Sequence, residues 1–186
     1  TLAVEPVDGK DSKADAVERV LARVETYHFE IDQILMDRDA FCGELIGVLR
    51  EAAPPVFPVR TGKETLEKKL TTGSSYMTEE IICEGKEHEQ TYPLAVNVTY
   101  QNGDRGKSGL KQIGYAAYGL EDRTPQQVAQ VYNHRARIEK SYETFREARA
   151  LTTTPSTTIR LFYVGVGFLL EQLWVVLQWA VLARPR

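Results

Sequence analysis

Between Tyr132 and Arg146 the chain reads YNHRARIEKSYETFR, and here residue types and spacing could do chemistry. On a helix turning about 100° per residue, Tyr132, Arg135, Glu139, Glu143 and Arg146 share one narrow face. Val131, Ile138, Tyr142 and Phe145 form the strip beside it, while Asn133, Arg137, Lys140, Thr144 and Glu147 point away. Glu139 therefore stands between two arginines, at the border of a buried stripe and an open one. A carboxylate that binds a metal needs that placement, anchored by packing yet within reach of a phosphate. The same face has a plainer use. Charged residues four apart form solvated ion pairs worth about 0.2–0.5 kcal/mol each, and Glu139 with Arg135 would make one.

Spacing adds what residue types alone do not. Tyr132, Arg135, Glu139 and Arg146 stand as Tyr, two residues, Arg, three residues, Glu, six residues, base. This resembles the Y-R-E-K signature around the last acidic residue of DDE transposases from bacterial and archaeal insertion sequences. The family's final base is usually Lys; Arg146 keeps the charge and offers a fork suited to phosphate. Earlier in the chain, Ile31, Ile34, Leu35 and Met36 run into Asp37-Arg38-Asp39-Ala40-Phe41, an apolar strand with an acid at its carboxyl end. That run resembles the family's second acidic motif, commonly Asp-Arg-Gly-Phe, with one extra residue here between Arg38 and Phe41. Asp37 and Asp39 are both candidates, and Asp37 is favoured because it directly follows the apolar run. Either could instead cap the helix that follows, where a carboxylate is at home.

The resemblance implies an RNase H-like catalytic domain that cuts and joins DNA with two divalent ions, Mg²⁺ or Mn²⁺, held by three carboxylates. Hard cations take oxygen ligands, and two of them can activate an attacking hydroxyl and stabilise a leaving oxygen. On this implication Asp37 and Glu139 are catalytic metal ligands, while Tyr132, Arg135 and Arg146 contact DNA, the arginines through phosphates. Transposon ends and target DNA would be the partners of a cytoplasmic protein, homo-oligomeric when complete, with no membrane involved. In the family the first Asp precedes the strand that Thr1–Val7 resembles; Asp8, on a turn before a helix, suits capping better than metal binding. The chain is therefore expected to be the C-terminal part of such a domain, truncated before the first catalytic Asp and inactive by itself. Two other readings stay open: an inactive remnant acting at most as a DNA-binding module, and a soluble domain anchored in a membrane.

The elements that must position these residues can be read from pattern. With 186 residues, 42% apolar and 26% charged, the chain can bury one sizeable core, and one domain over 1–186 is expected. The net charge of −3 provides no global basic field, although Thr124 to Arg160 carries six bases against three acids. Cys42 and Cys83 are far apart and at no ligand spacing, which argues against zinc and for a reducing compartment. His28, His88 and His134 are scattered, and a nucleophilic or metal role is not expected of them.

Thr1 to Val7 reads as a short buried strand, and Asp8-Gly9 as a turn. Asp11 to Glu25 reads as a helix opened by Ser12 and Asp15 at capping-box spacing. Phe29 to Met36 should be a central strand, Ala40 to Ala53 a helix stopped by Pro54-Pro55, and Val56 to Arg60 a strand whose Pro58 favours an edge or a strand end. This is the β-α-β-α-β order of a layered α/β sheet. Gly62 to Leu70 suggests a short helix. Three runs rich in Tyr, Val, Ile and Thr follow, Tyr76–Cys83, Thr91–Tyr100 and Leu110–Tyr118, separated by Glu84-Gly85-Lys86 and Asn102-Gly103. They predict an antiparallel β insertion over about 71–112, between the second Asp and the Glu helix, with the last strand returning to the main sheet. Thr124, Pro125 and Gln127 open a helix expected to reach about Arg149. After a Thr-rich linker, residues 159–183 form an apolar helix. Glu171, Gln172 and Gln178 interrupt it, and a membrane span needs about 20 mostly apolar residues, so a buried terminal helix is the expectation.

Overall fold

The computed structural model describes residues 3, 5, 7, 10–60, 73–100, 109–136, 146 and 152–182. They fall into two units, Val7–His134 and Thr1–Pro6 with Arg135–Arg186.

The first unit starts as its local signals require. Helix α1, Lys13–Glu25, is capped by Ser12, whose hydroxyl accepts from the Asp15 N–H at 3.1 Å while the Asp15 carboxylate accepts from the Ser12 N–H at 3.0 Å. Strand β1 is only Ile34–Leu35, shorter than the expected Phe29–Met36. The reason lies in its partner. The N–H groups of Ile34 and Met36 donate to the carbonyls of Pro54 and Val56, and the neighbouring strand begins only at Pro55. Residues upstream of Ile34 have no backbone there to pair with.

After β1, Arg38–Ala40 form a 3-10 turn, so helix α2 covers Gly43–Ala52 rather than starting at Ala40. Phe41 between them turns inward and meets the rings of Phe57 and Tyr92 edge-on, at 6.0 and 5.4 Å. Strand β2, Pro55–Pro58, is wholly buried and lies inside the sheet, not at its edge. Its two prolines stand at the strand ends, where a missing N–H costs no ladder bond; the Val59 N–H resumes pairing with the Gly114 carbonyl at 2.9 Å.

Strands β3 (Tyr76–Ile82), β4 (Gln90–Tyr100) and β5 (Leu110–Ala117) match the three β-rich runs. One five-stranded mixed sheet results, in the order β1-β2-β5-β4-β3. β1 and β2 are parallel and every other pair is antiparallel, with β5 returning beside β2 in the register Val56↔Ala117 and Phe57↔Ala116. Alternation along the strands fills two layers. Phe57, Leu94, Val96 and Ala116 face α1 and α2, meeting Leu45, Ile46 and Leu49. Val56, Ala95, Tyr115 and Ala117 face the other way, meeting Val128 and Ala129 of helix α3, Pro125–Asn133. Burying a side chain the size of Leu45 or Phe57 contributes about 1.5–3 kcal/mol.

The capping box of α3 forms as expected, with Thr124 accepting from Gln127 at 3.3 Å and Gln127 from Thr124 at 2.9 Å. The expected continuous helix to Arg149 does not. α3 ends at Asn133, His134 and Arg135 are turn residues, and helix is seen again at Ala136 and Arg146. Asn and His are poor helix formers, and they fall at the break. Residues 137–145, among them Glu139, lie outside the described residues, as do Gly62–Leu70, Asn102-Gly103 and most of Thr1–Gly9. Ala3, Glu5 and Val7, the described part of the expected first strand, belong to no helix or strand.

In the second unit, Ser156 caps helix α4, Thr157–Leu177, which continues as a π-helical stretch, Gln178–Leu182. A buried terminal helix was the expectation, yet among its described residues only Gly167 and Glu171 are buried. Phe162, Leu169, Trp174 and Trp179 are exposed. The helix is apolar nearly all round.

Candidate functional site

At the end of β1 the first unit forms a concave site of about 400 Å³ lined by Asp37, Arg38, Asp39, Pro58, Ile113, Tyr115 and Tyr132. Asp37 comes there because β1 ends two residues earlier, at Leu35, and the chain turns. It is the N-cap of the 3-10 turn, with Oδ1 accepting from the Arg38 N–H at 2.7 Å. The capping role that any acid before a helix could play is therefore present in the structure. Asp39 is held differently. Its Oδ1 pairs with Arg60 Nη2 at 3.0 Å, and its carbonyl accepts from Arg60 Nη2 at 3.2 Å and Lys13 Nζ at 2.6 Å. Arg60 Nε also donates to the Arg38 carbonyl at 3.3 Å. Both side chains of the Arg60–Asp39 pair are exposed, so the pair contributes at most about 1 kcal/mol. What it does is geometric: Arg60, just past β2, and Lys13, in the first turn of α1, pin the turn that carries Asp37.

The opposite wall is aromatic. Tyr132 on α3 lies against Tyr115 on β5, ring centroids 5.2 Å apart at 48°. Burial, reinforced by Tyr132, pushes the Tyr115 hydroxyl above its ordinary pKa, and the Arg38 guanidinium pulls part of the way back. Tyr115 is thus a neutral phenol at physiological pH, able both to donate and to accept.

Of the residues singled out by sequence, the structure brings Asp37, Asp39 and Tyr132 to one cavity. Arg135 is half-buried in the turn after α3, and Arg146 is exposed on helix. Both belong to the second unit, and Glu139 lies outside the described residues. Arg60, Lys13 and Tyr115 were not foreseen as parts of the site. Arg60 had a signal, being the first cation after an apolar strand of a β-α-β unit, hence at the same sheet end as Asp37. Lys13 and Tyr115 had none.

Hard carboxylate oxygens suit a divalent cation, but the described donors do not make a complete centre. Among the described residues no group of three His, Cys, Asp or Glu could hold a metal ion. What the cavity presents is two acids, Asp37 and Asp39, beside the Arg38 guanidinium and two phenols, with Arg60 held on the Asp39 turn.

Fold and site together define a mixed α/β protein whose five-stranded sheet, flanked by helices, carries an acidic and cationic cleft at one end. Compared with known proteins, the chain matches no family model and no curated protein.

Proposed function

We propose that the chain is part of the catalytic domain of a DDE-type transposase with an RNase H-like sheet, acting in metal-dependent DNA strand cleavage and transfer. The observation that carries this reading is the cleft itself: Asp37 and Tyr132, the heads of two motifs far apart in sequence, line one cavity with Arg38. The parallel β1-α2-β2 unit with an acid two residues after β1 is compatible with it. In this reading Asp37 and Glu139 hold divalent ions, Mg²⁺ or Mn²⁺, which supply activation of the attacking oxygen and charge for the leaving one. Arg38, Arg60, Arg135 and Arg146 hold backbone phosphates, and Tyr132 and Tyr115 form the cleft wall against which DNA rests.

The test is fluorescence anisotropy with a short DNA duplex, across salt and with or without Mg²⁺. The chain should bind, with affinity falling steeply as salt rises. Mg²⁺ should tighten binding, and Asp37→Ala should abolish that gain. Two carboxylates fall short of three, so no strand cleavage is expected from the chain by itself. Absence of DNA binding at low salt would overturn the proposal. Binding indifferent to both Mg²⁺ and Asp37→Ala would leave a non-enzymatic DNA-binding module in its place.

A second reading rests on α4. Thr157–Val181 has a mean hydropathy of 1.5 and 11% of its most apolar window buried. At 1.5 Å per residue it is about 37 Å long, enough for a hydrocarbon core of about 30 Å. That favours a membrane-anchored domain. Co-sedimentation of the chain with lipid vesicles, lost on removing α4, would support an anchor; full solubility without detergent would exclude it.

A further inference from the structure

A second cavity lies at the other end of the parallel strands. It holds about 660 Å³, within the range of about 300–1,000 Å³ that discrete ligand sites occupy. Residues 29–31 lead into β1 and Ala52 leads towards β2, so this groove opens where the two strands begin, whereas Asp37 lies beyond the end of β1.

Its lining has a helical period. α1 contributes Glu18, Leu21, Ala22 and Glu25, which stand at i, i+3, i+4 and i+7. α2 contributes Val48, Glu51 and Ala52, at i, i+3 and i+4. Two packed helices that expose adjacent stripes of this kind form the seat for a third helix. Phe29 closes one end, 58% exposed and 6.2 Å from the ring of Tyr27, itself half exposed.

The charge on the seat selects its occupant. Glu18, Glu25, Glu30 and Glu51 line the groove, and among the described residues no Lys or Arg does. Among the described residues none of these four side chains makes a hydrogen bond or ion pair. Glu25 is the last residue of α1 and Glu51 the last but one of α2, so two carboxylates sit at helix ends that favour cations. Arg50, the base in the last turn of α2, is directed elsewhere, to Gln90 Oε1 at 3.0 Å and over the ring of Tyr118 at 4.8 Å. Folding by itself gains nothing from this arrangement, but a bound cation would.

We propose that the groove between α1 and α2 is a docking site for a basic amphipathic helix of a partner protein. Apolar side chains of that helix fill the floor over Leu21, Ala22, Val48 and Ala52. Its Arg or Lys side chains reach the four glutamates and the face of Phe29. The site is independent of the cleft at Asp37 and stands whether or not that cleft binds DNA.

The probe is a fluorescent synthetic helix with leucines at i, i+3, i+4 and i+7 flanked by arginines, titrated with the full-length chain. Two variants read the site: Glu25→Lys with Glu51→Lys, and Phe29→Ala. The charge variant should raise the melting temperature, because it relieves both helix ends, while weakening the peptide at least tenfold. Phe29→Ala should weaken it several-fold without changing the charge. Equal affinity of all three proteins would overturn the proposal, as would loss in the charge variant with none in Phe29→Ala, which is unspecific attraction. Self-association of the chain abolished by the charge variant would also overturn it, assigning the groove to a second copy.

Discussion

Gly43 and Gly47 stand one turn apart on α2, and the fold treats them oppositely. A Cβ on Gly43 would press directly on the His88 carbonyl oxygen, backbone that cannot swing aside, with Cys83 Sγ at 3.2 Å. A Cβ on Gly47 would meet only Gln90 Nε2, at an ordinary 3.7 Å. Gly43→Ala should therefore destabilise by about 1–3 kcal/mol, the cost of forced overpacking. Gly47→Ala should stabilise by about 0.5–1 kcal/mol through helix propensity. Urea denaturation reads both, and a shift of the same sign in the two variants would contradict the packing at the start of α2. The same distinction between contact and context explains the cleft. Asp37 was legible because an acid that ends an apolar run is a local pattern. Arg60, Lys13 and Tyr115 join it from β2, α1 and β5, and only the tertiary fold makes them neighbours.

Elements behave the same way. The capping boxes at Ser12 and Thr124 are local in sequence and form as read, so Ser12→Ala and Thr124→Ala should each cost about 1 kcal/mol. Thermal melting checks this, with Ser12→Gly and Thr124→Gly expected to lose less than the alanine variants. The three antiparallel strands were equally legible, because β-branched and aromatic runs between turn residues need no distant information. The length of β1 and the inner position of β2 were not. β1 is cut short because its partner begins at Pro55, and β2 tolerates Pro55 and Pro58 because they stand at its ends. The surface of α4 was misread for a related reason: an apolar sequence states that a face will be covered, not what covers it. For Glu139 the sequence gives a face of a helix, and its surroundings lie outside the described residues.

On the scale of the whole molecule, burial has drawn the tyrosines into its energetics. Burial raises the hydroxyl pKa of Tyr92, Tyr115 and Tyr118 above 10.0, most strongly at Tyr92, where Glu80 adds to the effect. Tyr118 stays protonated while donating to the Thr91 carbonyl at 2.9 Å. Unfolding returns all three to about 10, so above that pH the folded state binds more protons than the unfolded one. Stability from these groups is complete below about pH 10 and is lost as pH rises through the folded values. The urea midpoint should fall as pH rises above about 10, less steeply in Tyr92→Phe. The same burial pattern divides the chain. Every residue of both hydrophobic clusters lies between Val17 and Tyr132, inside the unit Val7–His134. Outside that unit, α4 buries only Gly167 and Glu171 among its described residues. A chain of the length of residues 7–134 can bury a core sufficient for independent folding. The fragment 7–134 should therefore unfold cooperatively, with a denaturation midpoint close to that of the full chain and an m-value reduced only by what 135–186 bury. It should also lose whatever tendency α4 confers to aggregate or to join vesicles. A fragment that melts without cooperativity would mean that 135–186 supply packing essential to the sheet.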